Sequence, residues 1–551
     1  MKGLTLIQIY EQVLQTYFEK TALSNYGTVE SYTFGEVAKE IEKLHILFNK
    51  LQIKKGDKIA LIGKNNTRWC ITYLATITYG AVTVPILQDF TPEDVHHIVN
   101  HSDSILLFSA DSIWEKLQLK EMKKLRSVIS LSDFSLLKER EGENTKDALI
   151  YSTNTFDARY SSGFNKDDIH YPDLSDENVM VLNYTSGTAG FTKGVVITGN
   201  NLKGNLQYAH DTLPLKKDDR IVSFLPLAHT YGCAFEFLFP FMEGVHITLL
   251  NRTPSPSILL KAFQEIKPVL IISVPLILEK IYLNMLQPLL NKNIVKTALK
   301  IPLLNSFIYN AIRKKLTTAF GGNFTNVIIG GASLNSEVEA FMMKIKFPIT
   351  VGYGMTECAP LISFSPAWEY ISTSSGKALP NMQVRIDSPD PENIAGEIQV
   401  KGQNVMKGYY KNEEATREAF TKDGFLKTGD LGTMNKDRYL FIRGRSKSLI
   451  LSANGQNIYP EEIEAKLNNM PYVMESLVVD RNGKLIALVY PDREALQESG
   501  LKEEDLQKIM HDNKERLNRS LAYFEKITEI QLQAEEFEKT PKKSIRRFLY
   551  N

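Results

Sequence analysis

The sequence predicts an α/β protein: a large N-terminal domain of layered, mostly parallel sheets and helices, then a small, mobile α+β C-terminal domain. Three observations predict it. Apolar, β-rich runs alternate with amphipathic stretches, the pattern of parallel strands joined by helices. The chain has 551 residues, 43 % of them hydrophobic, enough for several packing units with large cores. The pattern then changes near residue 448, where a short helix and a hairpin replace the layered alternation. The expected domains are therefore 1–446 and 447–551.

The elements follow in order. The first twenty residues carry a helical apolar period with acids by residue 11, and lack the basic start and small-residue cleavage site of a secretion signal. Strands are expected at 58–63, 81–87, 104–110, 179–184, 220–227, 246–250 and 269–275. Cys70 to Gln88 is the longest uncharged stretch, but Gly80, Pro85 and several Thr and Tyr make it a buried helix running into a buried strand rather than a membrane span. Residues 139–178, rich in Asp, Asn, Ser and Lys, read as a surface excursion, and helices are expected at 335–346 and 413–420. The charged, turn-rich segment 433–448 reads as a boundary. Beyond it, a helix is expected just after Pro460, with Glu461 and Glu462 in the first turn where the helix dipole favours acids. Asn482-Gly483 between two apolar runs predicts a hairpin.

Composition narrows the function. Lys plus Arg is 65 and Asp plus Glu is 64, a net charge of +1, so no nucleic-acid partner is expected, although a local basic patch is compatible with it. Three distant cysteines, Cys70, Cys233 and Cys358, make neither a disulfide framework nor a Cys-based zinc site, and point to a reducing, cytoplasmic setting.

The chemistry is densest at Tyr184-Thr-Ser-Gly-Thr-Ala-Gly-Phe-Thr-Lys-Gly194, between two apolar strands. Glycines let backbone N–H groups face a concavity, hydroxyls donate to phosphate oxygens, and lysine adds a point charge. The spacing G-x-x-x-x-G-K-[ST] of a Walker A loop is absent. In residue order the segment resembles the phosphate loop of the AMP-forming acyl-activating superfamily, Y-T-S-G-T-T-G-x-P-K-G, with Ala189 and Thr192 as the departures. The resemblance implies that Thr185, Ser186, Gly187, Thr188, Gly190 and Lys193 enclose ATP phosphates.

Further segments resemble the same family in the same order. Gly330-Gly331-Ala332 resembles the backbone stretch along adenine. In Gly352-Tyr353-Gly354-Met-Thr356-Glu357, the resemblance implies that Tyr353 stacks on adenine, with Gly354 beside it, that Thr356 touches phosphate, and that Glu357 holds magnesium together with Thr188. A hard dication takes carboxylate and phosphate oxygens. Asp430 in Lys427-Thr-Gly-Asp430 would accept both ribose hydroxyls, Arg445 would meet ribose or phosphate, and Lys447 would be the hinge. His229 in Leu225-Pro-Leu-Ala-His-Thr-Tyr231 matches the position beside the acyl carboxylate, and Tyr231, Val274 and Gly352 are candidates for the acyl path.

Val274-Pro-Leu-Ile-Leu-Glu-Lys-Ile-Tyr282 and the apolar helical insertion at about 283–320 resemble the long-chain fatty acid–CoA ligase branch. The resemblance implies ATP, magnesium and coenzyme A as cofactor and co-substrates, with a fatty acid as substrate. The alternatives are an acyl-AMP ligase for another carboxylate or a carrier protein, and a catalytically impaired acyl- or nucleotide-binding homologue. A homo-oligomer is compatible with the sequence. Lys296, Lys300, Arg313, Lys314 and Lys315 make peripheral contact with the inner membrane surface a further expectation.

One departure bears on catalysis. The family's terminal lysine usually lies four residues after a Thr. Here Thr540, Ile545 and Arg547 are in register and Ser544 holds the lysine position. Serine carries no charge to a phosphate, so Lys543 is the expected substitute; otherwise adenylation is weak. A one-residue slip in a strand also reverses the side-chain face.

Overall fold

The computed structural model describes residues 3–185, 192–302, 304–451, 456–481, 483–540 and 545–550. At its centre is an eight-stranded sheet in the order Gly408–Tyr409, Lys193–Thr198, Val179–Thr185, Val82–Ile86, Lys58–Ile62, Ser104–Ser109, Ser127–Ser130, Leu136–Glu139. The five strands from Val179–Thr185 to Ser127–Ser130 run parallel, and antiparallel neighbours close both ends. The strands expected at 58, 81, 104 and 179 thus become neighbours. Their near-continuous apolar runs suit a sheet covered on both faces by helices. Strand Val82–Ile86 is buried throughout and helix Thr67–Tyr79 everywhere but Arg68 and Tyr79, and Gly80 ends the helix at φ 91°. No helix among the described residues is long and apolar enough to cross a membrane.

Two more sheets contain parallel strands: Arg220–Ser223, His246–Leu249, Thr21–Asn25 and Ser31–Thr33 in one, and Leu270–Ser273, Asn326–Ile329 and Ile349–Val351 in the other. The first strand stops at Ser223, short of the expected 227. The buried Glu236 carboxylate accepts from the N–H groups of Phe224 (2.9 Å) and Leu225 (2.8 Å), so those donors leave the ladder. Two antiparallel sheets follow, over 353–378 and 382–445.

Two expectations need correction. Within 139–178, the 15-residue helix Thr145–Arg159 packs on Phe34–Lys50 through few buried side chains, among them Ala148 and Phe156, so its apolar period is faint. The charged segment 433–448 lies largely in a hairpin, Leu426–Met434 against Leu440–Arg445. Its charges point outward from an antiparallel pair, so they resemble a linker in sequence. Helices Ser336–Lys344 and Glu413–Ala419 form where expected, capped by Asn335 and Asn412.

Beyond Lys447 the chain builds separate cores. Helix Pro460–Leu467 starts on its proline, with Glu461 and Glu462 in the first turn. Strands Val473–Arg481 and Lys484–Pro491 pair Arg481 with Lys484 around the expected turn, and Glu529–Leu532 adds a parallel third strand. Alternation along the hairpin sends Val478, Ala487 and Val489 into one core, and Leu477, Val479 and Leu488 into another.

Candidate functional site

Thr185, Lys193, Tyr353, Gly354, Asp430 and Arg445 stand in strands, and His229, Gly330, Gly331 and Glu357 in turns. Thr185 ends one central strand opposite Lys193, the first residue of the next. Ser186, Gly187, Thr188 and Gly190 lie outside the described residues. Lys193 Nζ sits 4.8 Å from the centroid of the Tyr409 ring, a cation–π contact. The Tyr409 hydroxyl donates to Glu357 Oε1 at 2.9 Å. Glu357 is buried, in the turn Thr356–Cys358. Tyr409 therefore joins the lysine of the glycine-rich loop to the carboxylate selected as a metal ligand. Sequence reasoning missed it. Tyr409 arrives by pairing with Val195 on the edge of the central sheet, and no local pattern announces a pairing across some two hundred residues.

A second chain of contacts joins Tyr353, Asp430 and Arg445. The Tyr353 hydroxyl donates to Asp430 Oδ2 at 2.7 Å, and Arg445 Nε lies 3.2 Å from Oδ1 across the hairpin. Asp430 stands at an irregular step in its strand, next to Gly429 at φ 73°. Such a bulge re-aims a side chain out of the regular alternation. Burial pushes the Asp430 carboxyl above its ordinary range, while the Arg445 guanidinium opposes that shift. The Tyr353 hydroxyl is likewise pushed well up by burial and then by the Asp430 charge. Gly354 is required by packing: a Cβ there would lie 2.1 Å from the Pro360 carbonyl oxygen.

Between these groups lies a largely apolar cavity. Of the sequence-selected residues, His229, Tyr231, Gly330, Gly331, Gly352, Tyr353, Gly354 and Thr356 line it. Apolar walls come from Phe235, Ile272, Ile328, Leu361 and Phe364, with Tyr208 among them. Tyr231 lies against Gly330, where a Cβ would be 2.8 Å from the ring, and its hydroxyl donates to the Ile328 carbonyl at 3.2 Å. His229 caps the short turn after its strand; its Nδ1 accepts from the Tyr231 N–H at 3.5 Å. Val274 does not line this cavity. It follows strand Leu270–Ser273, with Cγ1 3.9 Å from where a Gly331 Cβ would be. Ala332 continues the Gly330-Gly331 turn outside the lining.

Lys447 lies in the short turn Ser446–Ser448 that follows Arg445. Lys543 and Ser544 fall outside the described residues. Of the neighbouring cations, Lys539 pairs with Glu475 at 2.7 Å and with Glu536, and Arg547 pairs with Glu464.

The donor set fits magnesium bound with a nucleotide. Among the described residues no cluster of three or more His, Cys, Asp or Glu could hold a metal on its own. One buried carboxylate, Glu357, matches an ion whose other ligands are phosphate oxygens and water.

Comparison with known proteins gives the family. Residues 10–410 match the family of the AMP-binding enzymes and residues 447–550 the AMP-binding enzyme C-terminal domain. Among curated relatives, the probable 4-coumarate–CoA ligase 1 of Dictyostelium discoideum is 30% identical over 467 residues, 82% of this chain and 78% of that protein. The long-chain-fatty-acid–CoA ligase FadD15 of Mycobacterium tuberculosis is 29% identical over 501 residues, 86% of this chain and 79% of that one. Among solved structures, the anthranilate CoA ligase AuaEII with anthranoyl-AMP superposes with a TM-score of 0.79 at 18% identity, covering 99% of this chain and 96% of that chain. ATP-bound MatB from Rhodopseudomonas palustris gives 0.77 at 21%, covering 99% and 98%.

Proposed function

The chain belongs to the AMP-binding enzymes, the superfamily of acyl-CoA synthetases and adenylate-forming ligases, and from that premise we propose that it activates a long-chain fatty acid as its acyl adenylate and transfers the acyl group to CoA. The carrying observation is the apolar cavity that runs from His229 to Tyr353, beside the Asp430–Arg445 pair.

A carboxylate oxygen attacks the α-phosphorus of ATP; the acyl–phosphate bond forms, the α–β bridge breaks, and pyrophosphate leaves. A CoA thiolate then attacks the acyl carbon, and the C–O bond to phosphate breaks to release AMP. The first step brings anions together, so it needs positive charge and fixed donors more than proton transfer. Lys193 supplies a cation and Asp430 grips the ribose hydroxyls. Tyr353 stacks on adenine along Gly330, Gly331 and Ala332, and Thr356 reaches phosphate. Magnesium, held by Glu357 and Thr188, would neutralise charge on the phosphates. His229 stands by the acyl carboxylate.

The long-chain reading rests on the apolar lining, on the Val274–Tyr282 segment and on the helical insertion behind it. Each buried CH₂ contributes about 0.8 kcal/mol, so an apolar path selects for chain length. A planar aromatic acid is the second reading, favoured by the rings of Tyr208, Tyr231, Phe235 and Phe364 around the cavity and by the 4-coumarate and anthranilate ligases among the relatives. Pyrophosphate release against saturated acids from acetate upward and against coumarate and anthranilate, with and without CoA, separates the readings. A maximum at about twelve carbons or longer supports the first; a maximum at acetate or at an aromatic acid overturns it. Turnover of acyl-AMP that ignores CoA points instead to a carrier-protein ligase.

Domains 1–446 and 447–551 are proposed to swivel about Lys447 between the half-reactions. Lys447→Pro locks φ near about −65°. Adenylation and thioester formation should then respond unequally; equal losses overturn the swivel. Lys543 is proposed as the cation for adenylation in place of Ser544. Lys543→Ala should abolish acyl-AMP formation, and a silent Lys543→Ala in a fast enzyme removes that assignment.

A further inference from the structure

The helical lobe that follows strand Leu270–Ser273 carries a surface that the proposed reaction leaves unused. It comprises Pro275–Ile281, the turn Tyr282–Leu286, and the helices Gln287–Leu290, Asn293–Ala298 and Leu304–Ala319. Its inner side is already satisfied. Ile312 and Leu316 are buried, Tyr282 packs on Phe341 with ring centroids 5.3 Å apart, and Phe320 stacks on Phe263 at 5.7 Å. Its outer side is apolar and open. Ile294 is 84% exposed and Phe307 72%, with Leu276, Leu283, Met285 and Ile301 between 41% and 56%. Single exposed apolar side chains need no explanation, but six within about thirty residues of one lobe do.

Charge singles out the partner. Residues 280–336 hold seven Lys or Arg and no Asp or Glu, in a chain whose charges sum to only +1. Lys292, Lys296 and Lys300 are exposed and flank Ile294 and Ile301, while Lys314 and Lys315 lie on the solvent side of the helix that bears Phe307. On that helix, positions 307, 311, 314 and 318 share the face opposite Ile312 and Leu316. A second copy docked face to face would set these cations against their own copies, a like-charge interface that costs affinity. Apolar side chains rimmed by lysines and free of acids complement an anionic bilayer, where the side chains enter the acyl boundary and the cations meet lipid phosphates.

We propose that this lobe is a docking surface for an anionic lipid bilayer, lying on the membrane with Ile294 and Phe307 inserted and Lys292, Lys296 and Lys300 at the headgroups. The lobe begins two residues after the strand that brings Ile272 to the cavity, so docking would set the proposed acyl path near the lipid phase. Binding is read without turnover, so it stands or falls separately from the substrate reading.

The test is co-sedimentation of the full chain with phosphatidylcholine vesicles, with and without phosphatidylglycerol, at low and high salt. Wild type should pellet with the anionic vesicles and be released by salt. Each cation reversed should lower partitioning roughly fivefold, so Lys292→Glu, Lys296→Glu and Lys300→Glu together should abolish it. Ile294→Ser with Phe307→Ser should lose binding at low salt, where wild type pellets. Circular dichroism checks the fold of each variant, and the salt series on wild type decides the matter even if a variant fails to fold. No pelleting, equal pelleting with neutral vesicles, or binding unaltered in either folded variant overturns the proposal. So does a dimer in sedimentation equilibrium that Ile294→Ser with Phe307→Ser dissolves, because the face would then belong to a second copy.

Discussion

Glu357 and Glu464 are both buried carboxylates, one beside the glycine-rich loop and one in the C-terminal segment, and they are satisfied by opposite means. Glu357 accepts from a neutral donor, the Tyr409 hydroxyl, and Lys193 rests on the face of the tyrosine ring. Glu464 accepts from the Val478 N–H at 2.6 Å and pairs with the Arg547 guanidinium. A carboxylate paired with arginine spends its charge inside the protein. One held by a phenol keeps its charge for a cation arriving with a ligand.

The sharpest way to break this contrast is to remove each carboxylate's function in turn. Glu357→Ala should lower acyl-AMP formation by roughly 10²–10³-fold, the loss seen when one fixed electrostatic group leaves a site, with an unchanged unfolding midpoint. Normal activity would return Glu357 to the structural class. Arg547→Ala should do the reverse. It leaves Glu464 buried without its partner and should cost about 2–3 kcal/mol in urea unfolding of the C-terminal segment. A neutral result there would mean that the Glu464 carboxyl simply takes up a proton.

Tyr409→Phe probes the link itself. It deletes one hydrogen bond to a charged acceptor, so the ATP concentration for half-maximal pyrophosphate release should rise about tenfold. If activity is unmoved, Tyr409 does not position Glu357.

The smallest effect is a divergence with pH. Burial pushes the Glu464 carboxyl up to about 7, against the opposing pull of Arg547. A carboxyl raised in the folded state binds its proton more tightly there, so its contribution is greatest below the ordinary range and is lost as pH rises through about 7. His45, buried between helices and bonded to the Ala75 carbonyl, is held down to about 4 by burial. Its contribution is present above the ordinary histidine value and is lost as pH falls toward about 4. Between roughly pH 7 and pH 5.5 each effect is on the order of 1 kcal/mol, with opposite sign. Hydrogen-exchange protection should therefore fall around helix Phe34–Lys50 and rise around helix Pro460–Leu467 on mild acidification. Parallel changes in both regions would break the comparison.

Reading the chain unaided reached far where the signal is local. The strands at 58, 82, 104 and 179, the helix on Pro460 and the hairpin at Gly483 are written in apolar runs, a proline and a turn dipeptide. Family motifs led to the residues that line the cavity, because a glycine that must admit a ring or a carbonyl, such as Gly330 or Gly354, cannot be exchanged cheaply. Helix Thr145–Arg159 escaped because few of its side chains are buried, and the hairpin ending at Arg445 because its turn and its exposed positions are charged.

By itself the sequence determined the alternation of strands and helices, the glycine- and hydroxyl-rich segment between Thr185 and Lys193, and the serine at 544, because each is carried by near neighbours in the chain. Only the tertiary structure decided that Tyr409 reaches Glu357, that Tyr353, Asp430 and Arg445 form one chain of contacts, and that the apolar side of the 275–319 lobe stays uncovered. Sheet register and helix packing set those contacts. They join residues tens to hundreds of positions apart, and a period of two or of 3.6 residues says which face a side chain takes but not what will stand opposite.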